Sequence, residues 1–249
     1  MVEHTRAHLR QTRVQVAGER ISTRFGSIVL PPGARAGRPI DLVVHFHGAA
    51  WLAEQSVRKA RPKAAVLAVE LGSGSSVYGR PFQDDKAFDE ILAALGRPAR
   101  RIYLTAYSAG YGAIREILAR QAARIDGIIL LDAMHSGYEE PEAKRVVRAA
   151  DIAPFEAFAR EALSGRKRML FMHSEIFPST FASTTEVSDW LVEKLALRRR
   201  AVLKWGPLGM QMVSDTRRAR LEVIGFAGNS APDHVDQLHA LDWALRRLR

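Results

Sequence analysis

The sequence predicts an α/β fold: a mostly parallel sheet with helices on both faces, a three-layer α/β/α sandwich. Three observations carry that expectation. Short continuous apolar runs recur along the chain, among them "DLVVHFHG" (41–48), "KAAVLAVEL" (63–71), "RIYLTAY" (101–107), "GIILLD" (127–132), "RMLFMH" (168–173) and "LEVIGFA" (221–227). Strands without polar alternation are those buried on both faces. Segments with helical spacing of apolar residues separate these runs, the pattern of strand–helix–strand units. Finally, 249 residues with 47% hydrophobic and 26% charged content suit one large domain, spanning 1–249, with a sizeable core.

In chain order, "RVQVA" (13–17) and "GSIVL" (26–30) read as an N-terminal hairpin, followed by the turn "PPGARAGRP". "DLVVHFHG" is a strand ended by a glycine, and "KAAVLAVEL" a second buried strand. The apolar spacing of "DDKAFDEILAAL" makes a helix. "RIYLTAY" leads into a helix from Gly110 to about Ala123, and "GIILLD" follows. A helical region over 141–164 lies within 133–168, a stretch long enough for a small helical insertion or minimal lid; the apolar face of "FEAFAREAL" suits covering the sheet. After "RMLFMH", Ser183 and Glu186 have capping-box spacing and start the helix "EVSDWLVEKLAL". "KWGPLGMQMVSDTRR" reads as irregular, with Trp205, Leu208, Met210 and Met212 placed to wall a pocket or pack a loop onto the core. The last helix runs from about Pro232, with Val235, Leu238, Leu241, Leu245 and Leu248 as its buried stripe and His239 on the surface.

Composition narrows the function classes. There are no cysteines, so neither a disulfide framework nor a cysteine-ligated metal is available. The net charge of +10 gathers in short arginine clusters, 198–200, 217–220 and 246–249, near predicted helix ends and without interleaved aromatics. That pattern reads as solvated surface rather than a nucleic-acid footprint. No run is long enough to span a membrane, and the start "MVEHTRAHLRQTR" does not resemble a secretory signal. A cytoplasmic location is the default, with a secreted form whose leader has been removed as the alternative.

Ligands of parallel sheets bind beyond the carboxyl ends of the strands, so the residues there matter most. "Ala106-Tyr107-Ser108-Ala109-Gly110" fits the nucleophile elbow G-x-S-x-G, with alanine for the first glycine. Positions two before and two after the serine must be small for the strand to turn tightly into the helix. A serine hydroxyl needs a base. His234, after the last strand and at the start of the last helix, supplies one. The base in turn needs a carboxylate to fix its tautomer. Asp132, ending "GIILLD", and Glu175, in "FMHSEIF", both stand at strand ends, and either keeps the chain order Ser, acid, His.

The elbow, the strand order and the late histidine together resemble the α/β-hydrolases, from about residue 12 onward. The late motifs "HSEIFPSTFASTTE" and "GNSAPDHVDQLHAL" are also similar to bacterial proteins of that fold. The resemblance implies a Ser-Asp/Glu-His triad. The usual acid position after the penultimate strand corresponds here to Phe177, not Glu175, whereas some lipase-like members carry the acid after the preceding strand; this favours Asp132. The resemblance further implies that "HFHGAAW", where its strand ends, begins an oxyanion hole, with the backbone N–H groups of Gly48 and Ala49 joined by that of Ala109. His47, Trp51, Tyr107 and Glu175 are then substrate-contacting or loop-shaping, and His45 is structural. "GSGSSVYG" matches neither a dinucleotide fingerprint nor a P-loop and reads as a flexible active-site loop.

The expected activity is hydrolysis of a small or extended ester, or an amide or peptide, through an acyl-enzyme, with no cofactor and no metal. Two rivals remain. His45 and His47, with His135 and His173 at other strand ends, could form the metal site of a metal-dependent hydrolase. The fold could also serve as a non-catalytic binding protein.

Overall fold

The apolar runs become strands. The computed structural model describes residues 6–140 and 144–248. Its strands are β1 (Arg20–Thr23), β2 (Gly26–Val29), β3 (Ile40–Phe46), β4 (Ala65–Val69), β5 (Ala99–Tyr107), β6 (Gly127–Leu131), β7 (Arg168–His173), β8 (Ala201–Trp205), β9 (Gln211–Arg218) and β10 (Leu221–Phe226). They form one ten-stranded sheet in the order β1-β2-β4-β3-β5-β6-β7-β10-β9-β8. The six strands from β4 to β10 in that order are parallel, and the pairs at both ends are antiparallel.

Helices cover both faces: α1 (Ala50–Ala60), α2 (Ser75–Gly79), α3 (Lys86–Ala94), α4 (Tyr111–Gln121), α5 (Ala149–Leu163), α6 (Thr184–Lys194), α7 (Ala231–His239) and α8 (Leu241–Arg247). Period-two side chains divide the core. Leu42, Val44 and Phe46 of β3 join Phe88, Ile114, Phe155 and Leu191 of α3, α4, α5 and α6 on one side. Val43 joins Leu52, Leu241 and Leu245 of α1 and α8 on the other. Each such fully buried side chain contributes roughly 1.5–3 kcal/mol relative to exposure. No helix among the described residues is long and apolar enough to cross a membrane.

Several segments differ from expectation. The N-terminal hairpin is β1 with β2, not "RVQVA" with "GSIVL". Residues 12–18 run instead as part of an irregular N-terminal strap that begins at Arg6, in which Val14 N–H donates to Gln55 Oε1 at 2.9 Å. "KWGPLGMQMVSDTRR" is not irregular but supplies most of an antiparallel β8–β9 hairpin that extends the sheet edge. Trp205 there is 77% exposed and walls no pocket. Of the helical region placed at 141–164, residues 149–163 are helical as α5, whereas Val147 before it forms a bridge with Tyr138; residues 141–143 lie outside the described residues. Ile152, Phe155 and Phe158 of α5 are buried against the sheet, so this helix covers the core rather than the cavity. "GSGSSVYG" contains the helical turn α2, whose Tyr78 is fully buried. The last helix breaks at Ala240 into α7 and α8. The helix α1, not anticipated as an element, buries Leu52, Ala53 and Val57.

The strap grips the end of the chain. Arg6 Nε and Arg10 Nε each lie 2.7 Å from Asp236, which is fully buried in α7; Arg6 also pairs with Asp233. Gln11 N–H donates to His239 Nδ1 at 3.0 Å. His239 is therefore a half-buried anchor rather than a surface residue, and burial lowers its pKa.

The chain passes from β3 outward to β4 and returns across to β5, so the direction of winding reverses between β3 and β5. That is where a parallel sheet opens a crevice at its carboxyl edge. Gly110, beyond β5, packs so closely on β3 that an added Cβ would lie 2.1 Å from Phe46 O. Gly110→Ala therefore has to push α4 off the sheet. It should cost about 1–3 kcal/mol by overpacking, a drop of several degrees in Tm by calorimetry.

Candidate active site

Strand ends deliver the chemistry. Among the described residues, eight non-glycine residues have positive φ, and four of them follow the central strands: His47 (71°) after β3, Ser108 (47°) after β5, and Asp132 (45°) and Met134 (85°) after β6. Left-handed backbone at non-glycine residues is strained and concentrates at functional sites. Ser108 opens a short 3-10 turn, Ser108–Gly110, that leads into α4, and Ala106 behind it is fully buried.

His234 stands four residues past Ser230, which caps α7 in a capping box with Asp233. Its Nδ1 lies 2.7 Å from Asp132 Oδ2. A carboxylate oxygen accepts, so Nδ1 carries the proton and Nε2 keeps its lone pair. Asp132 is almost fully buried and accepts further bonds from Ser174 N–H (2.9 Å), Ser174 Oγ (2.6 Å) and Thr184 Oγ1 (2.8 Å). Burial alone raises its pKa, but the hydrogen bonds from His234 and Ser174 outweigh that and hold the carboxyl at about 2. The ring of Tyr107, adjacent to Ser108, lies 4.5 Å from that of His234. Among the described residues His234 is hydrogen-bonded to Asp132 and not to Ser108; such bonds commonly tighten only with substrate present.

Glu175, the other candidate acid, is exposed; its backbone N–H donates to Gly228 O at 2.9 Å, and its carboxylate is not among the partners of His234. Phe177 is 60% exposed.

The segment after β3 is organised by a residue the sequence reading passed over. Glu70, just beyond β4, accepts from Gly48 N–H (2.7 Å), Gly72 N–H (3.1 Å) and the Tyr78 hydroxyl (2.6 Å). These bonds bring its pKa below the ordinary carboxylate value against the opposing effect of burial. The Gly48 N–H expected to face an oxyanion is thus already engaged by a carboxylate. Ala49 caps α1 immediately after it. His47 Nδ1 lies 2.9 Å from the Tyr78 hydroxyl, and its ring stacks on Tyr107 at 5.7 Å. Trp51 is directed elsewhere, its ring 6.1 Å from that of His239. Glu70 is the penultimate residue of "KAAVLAVEL" and Ser174 the residue after "RMLFMH", positions at strand ends that could have drawn attention. Thr184 was hidden inside the start of α6.

The histidines weighed as metal ligands go to separate partners. His45 is buried with Nδ1 2.7 Å from Thr105 Oγ1, and desolvation lowers its pKa to about 4. His173, likewise lowered to about 4 by burial, meets Ser188 Oγ at 3.1 Å. Among the described residues no group of three or more His, Asp or Glu side chains is arranged to hold a metal ion.

A cavity of about 370 Å³ opens beside Ser108, lined by Ala109, Tyr111, His135, Ser75 and Phe181 among others. Sites of 300–1,000 Å³ accept small organic ligands.

Similarity to known proteins agrees with this architecture. Among solved structures, the chain is similar to Est1E from Butyrivibrio proteoclasticus (TM-score 0.51, 10% identity, covering 92% of this chain and 96% of that one). It is also similar to the carboxylesterase CesB (YbfK) from Bacillus subtilis (TM-score 0.50, 10% identity, 94% and 90%). A third is the thermophilic esterase Est2 of Thermogutta terrifontis (TM-score 0.50, 13% identity, 88% and 84%). At these identities the likeness concerns the fold. No curated protein sequence matches significantly. The profile of the alpha/beta hydrolase family matches residues 43–248, which run from within β3 to the end of the described chain. With most of its length inside that match and the sheet, crossover and strand-end turns of such a fold, the chain belongs to the alpha/beta hydrolase family.

Proposed function

We propose that the protein is a serine hydrolase of small esters, with Ser108 as nucleophile, His234 as base and Asp132 as the acid that orients it. The observation that carries this is the 2.7 Å contact of His234 Nδ1 with the buried Asp132, next to a serine held in left-handed backbone at the strand–helix turn. With Nδ1 protonated, Nε2 is the atom that takes the Ser108 proton as Oγ bonds to the ester carbonyl carbon. The carbonyl oxygen becomes an oxyanion, for which the N–H groups of Ala109 and Ala49 are the donors. Collapse expels the alcohol, which takes the proton from His234. Water then attacks the acyl-enzyme with His234 again as base, releasing the acid and free Ser108. Amides and peptides would use the same groups. No cofactor takes part in these steps.

Labelling with a fluorophosphonate probe, followed by peptide mass spectrometry, tests the assignment. A single adduct on Ser108, strongly slowed in His234→Ala, is expected; no adduct on the folded protein overturns it.

Glu70 enters as a positioning residue, since it holds the peptide that precedes Ala49. Glu70→Ala leaves Gly48 N–H and the Tyr78 hydroxyl without their acceptor. It should lower kcat by about 10–100-fold, short of the 10²–10³ typical for losing an oxyanion donor outright, with little change in KM. Steady-state kinetics on a p-nitrophenyl ester read this; wild-type kcat in the variant would contradict it.

A further inference from the structure

The cavity beside Ser108 has a polar wall that hydrolysis itself does not use. Its lining includes Ser108 and Ala109 but neither His234 nor Asp132. A leaving alcohol must stay within reach of the imidazole that protonates it. The part of the substrate that enters the cavity is therefore the acyl group.

Inside stands His135, three residues after Asp132 on the same turn. Its Nδ1 lies 3.1 Å from the carbonyl oxygen of Ala182. A carbonyl only accepts, so Nδ1 bears the hydrogen and Nε2, in the neutral ring, is an acceptor. Burial lowers the pKa of this histidine and keeps the ring neutral at pH 7. The ring is clamped edge to face by Phe181 at 4.9 Å and Tyr111 at 5.8 Å, which limits its rotation. Ser136, next in the chain, pairs with Ala182 across an antiparallel bridge (Ala182 N–H to Ser136 O, 2.8 Å), so the carbonyl that sets the tautomer is itself fixed. Ser136 Oγ is turned inward, to Gly137 O, Arg148 O and Asp151. The cavity thus combines aromatic walls with an oriented acceptor at His135, apart from the Ser75 and Tyr111 hydroxyls, which bond to each other.

We infer that His135 Nε2 accepts a hydrogen bond from the acyl group, so that the preferred substrates are esters whose short acyl chain carries an O–H or N–H donor, such as a hydroxyacyl or acylamino group, rather than plain alkyl esters. This rests on the hydrolase reading above. An acceptor enclosed by aromatic rings favours a donor-bearing ligand because an alkyl group of the same size leaves it unpaired.

The experiment compares kcat/KM for two p-nitrophenyl esters of matched size, 3-hydroxybutanoate and 3-methylbutanoate, in the wild type, His135→Phe and His135→Gln. Wild type should favour the hydroxy ester by about tenfold or more. His135→Phe keeps an aromatic ring without the acceptor, and the ratio should fall to near one. His135→Gln, whose amide oxygen can accept, should retain part of the preference, a pattern that a merely structural role would not produce. A wild-type ratio near one, with Ser108 labelled by fluorophosphonate, overturns the substrate class and leaves the hydrolase intact. So does an undiminished ratio in His135→Phe; if that variant does not fold, the wild-type ratio and His135→Gln decide. Absence of both turnover and labelling overturns the hydrolase reading and this inference with it.

Discussion

Ser108→Ala should lower kcat/KM for a p-nitrophenyl ester by about 10⁴–10⁶-fold while leaving Tm unchanged, as measured by steady-state kinetics and thermal melting of the same preparations. The first half follows from the loss of the only atom placed to form the acyl bond in the proposed reaction; removing a nucleophilic serine from such a unit costs losses of this order. The second half follows from the environment. Ser108 is half-exposed, and its hydroxyl has no hydrogen-bond partner among the described residues, so nothing is left unpaired when it goes. Alanine meets the same left-handed backbone as serine, and surface changes of this kind stay within about 0.5 kcal/mol. An active Ser108→Ala variant would remove the proposed function.

Asp132→Asn should damage both activity and stability. Neutralising the acid of a triad costs about 10⁴ in kcat because the imidazole adopts the wrong tautomer and its cation is no longer stabilised. Asp132 also accepts from Ser174 N–H, Ser174 Oγ and Thr184 Oγ1, all of which arrive as donors. An amide nitrogen in place of one oxygen opposes donor to donor, and hydrogen bonds to a charged group contribute about 1.5–3 kcal/mol. A drop of roughly 5–10 °C in Tm is expected for a chain of this size. The pH dependence has a defined sign. The carboxyl titrates at about 2 in the folded protein against an ordinary 3.8. Its contribution is therefore complete above about pH 4 and lost as pH falls through 2, amounting to about 2 kcal/mol. Denaturant titrations between pH 6 and 2 should show the wild type losing that increment and Asp132→Asn lacking it.

What the sequence disclosed follows the range over which each feature is determined. The central strands and the elbow were legible because their signals are local: unbroken apolar runs, and small residues at fixed offsets from Ser108. The pairing of His234 with Asp132 rather than Glu175 depends on how far each strand end reaches across the sheet, and chain order alone left both candidates standing. "RVQVA" alternates like a strand, yet it pairs with no strand, and Val14 N–H goes to the Gln55 side chain instead. The β8–β9 hairpin was missed because Gly206 and Gly209 look like loop punctuation, while the alternation of Met210, Met212 and Ser214 toward the core was overlooked. Glu70 was missed for a different reason: it reads as an ordinary charged residue at a strand end, and only the approach of Gly48, Gly72 and Tyr78 gives it partners.

The strap has a consequence for where this protein can be cut. Similarity to the family begins at residue 43, well after Arg6 and Arg10. Yet those two arginines neutralise Asp233 and Asp236 on either side of His234 in the sequence, and Asp236 is fully buried. A fragment trimmed to the bounds of the family match would keep every residue of the proposed triad but lose β1, β2 and both arginine partners of Asp236 in the helix that carries its base. A cut at the shared bounds thus strips charge partners from the helix that carries His234, so the segment before the family match bears directly on that histidine.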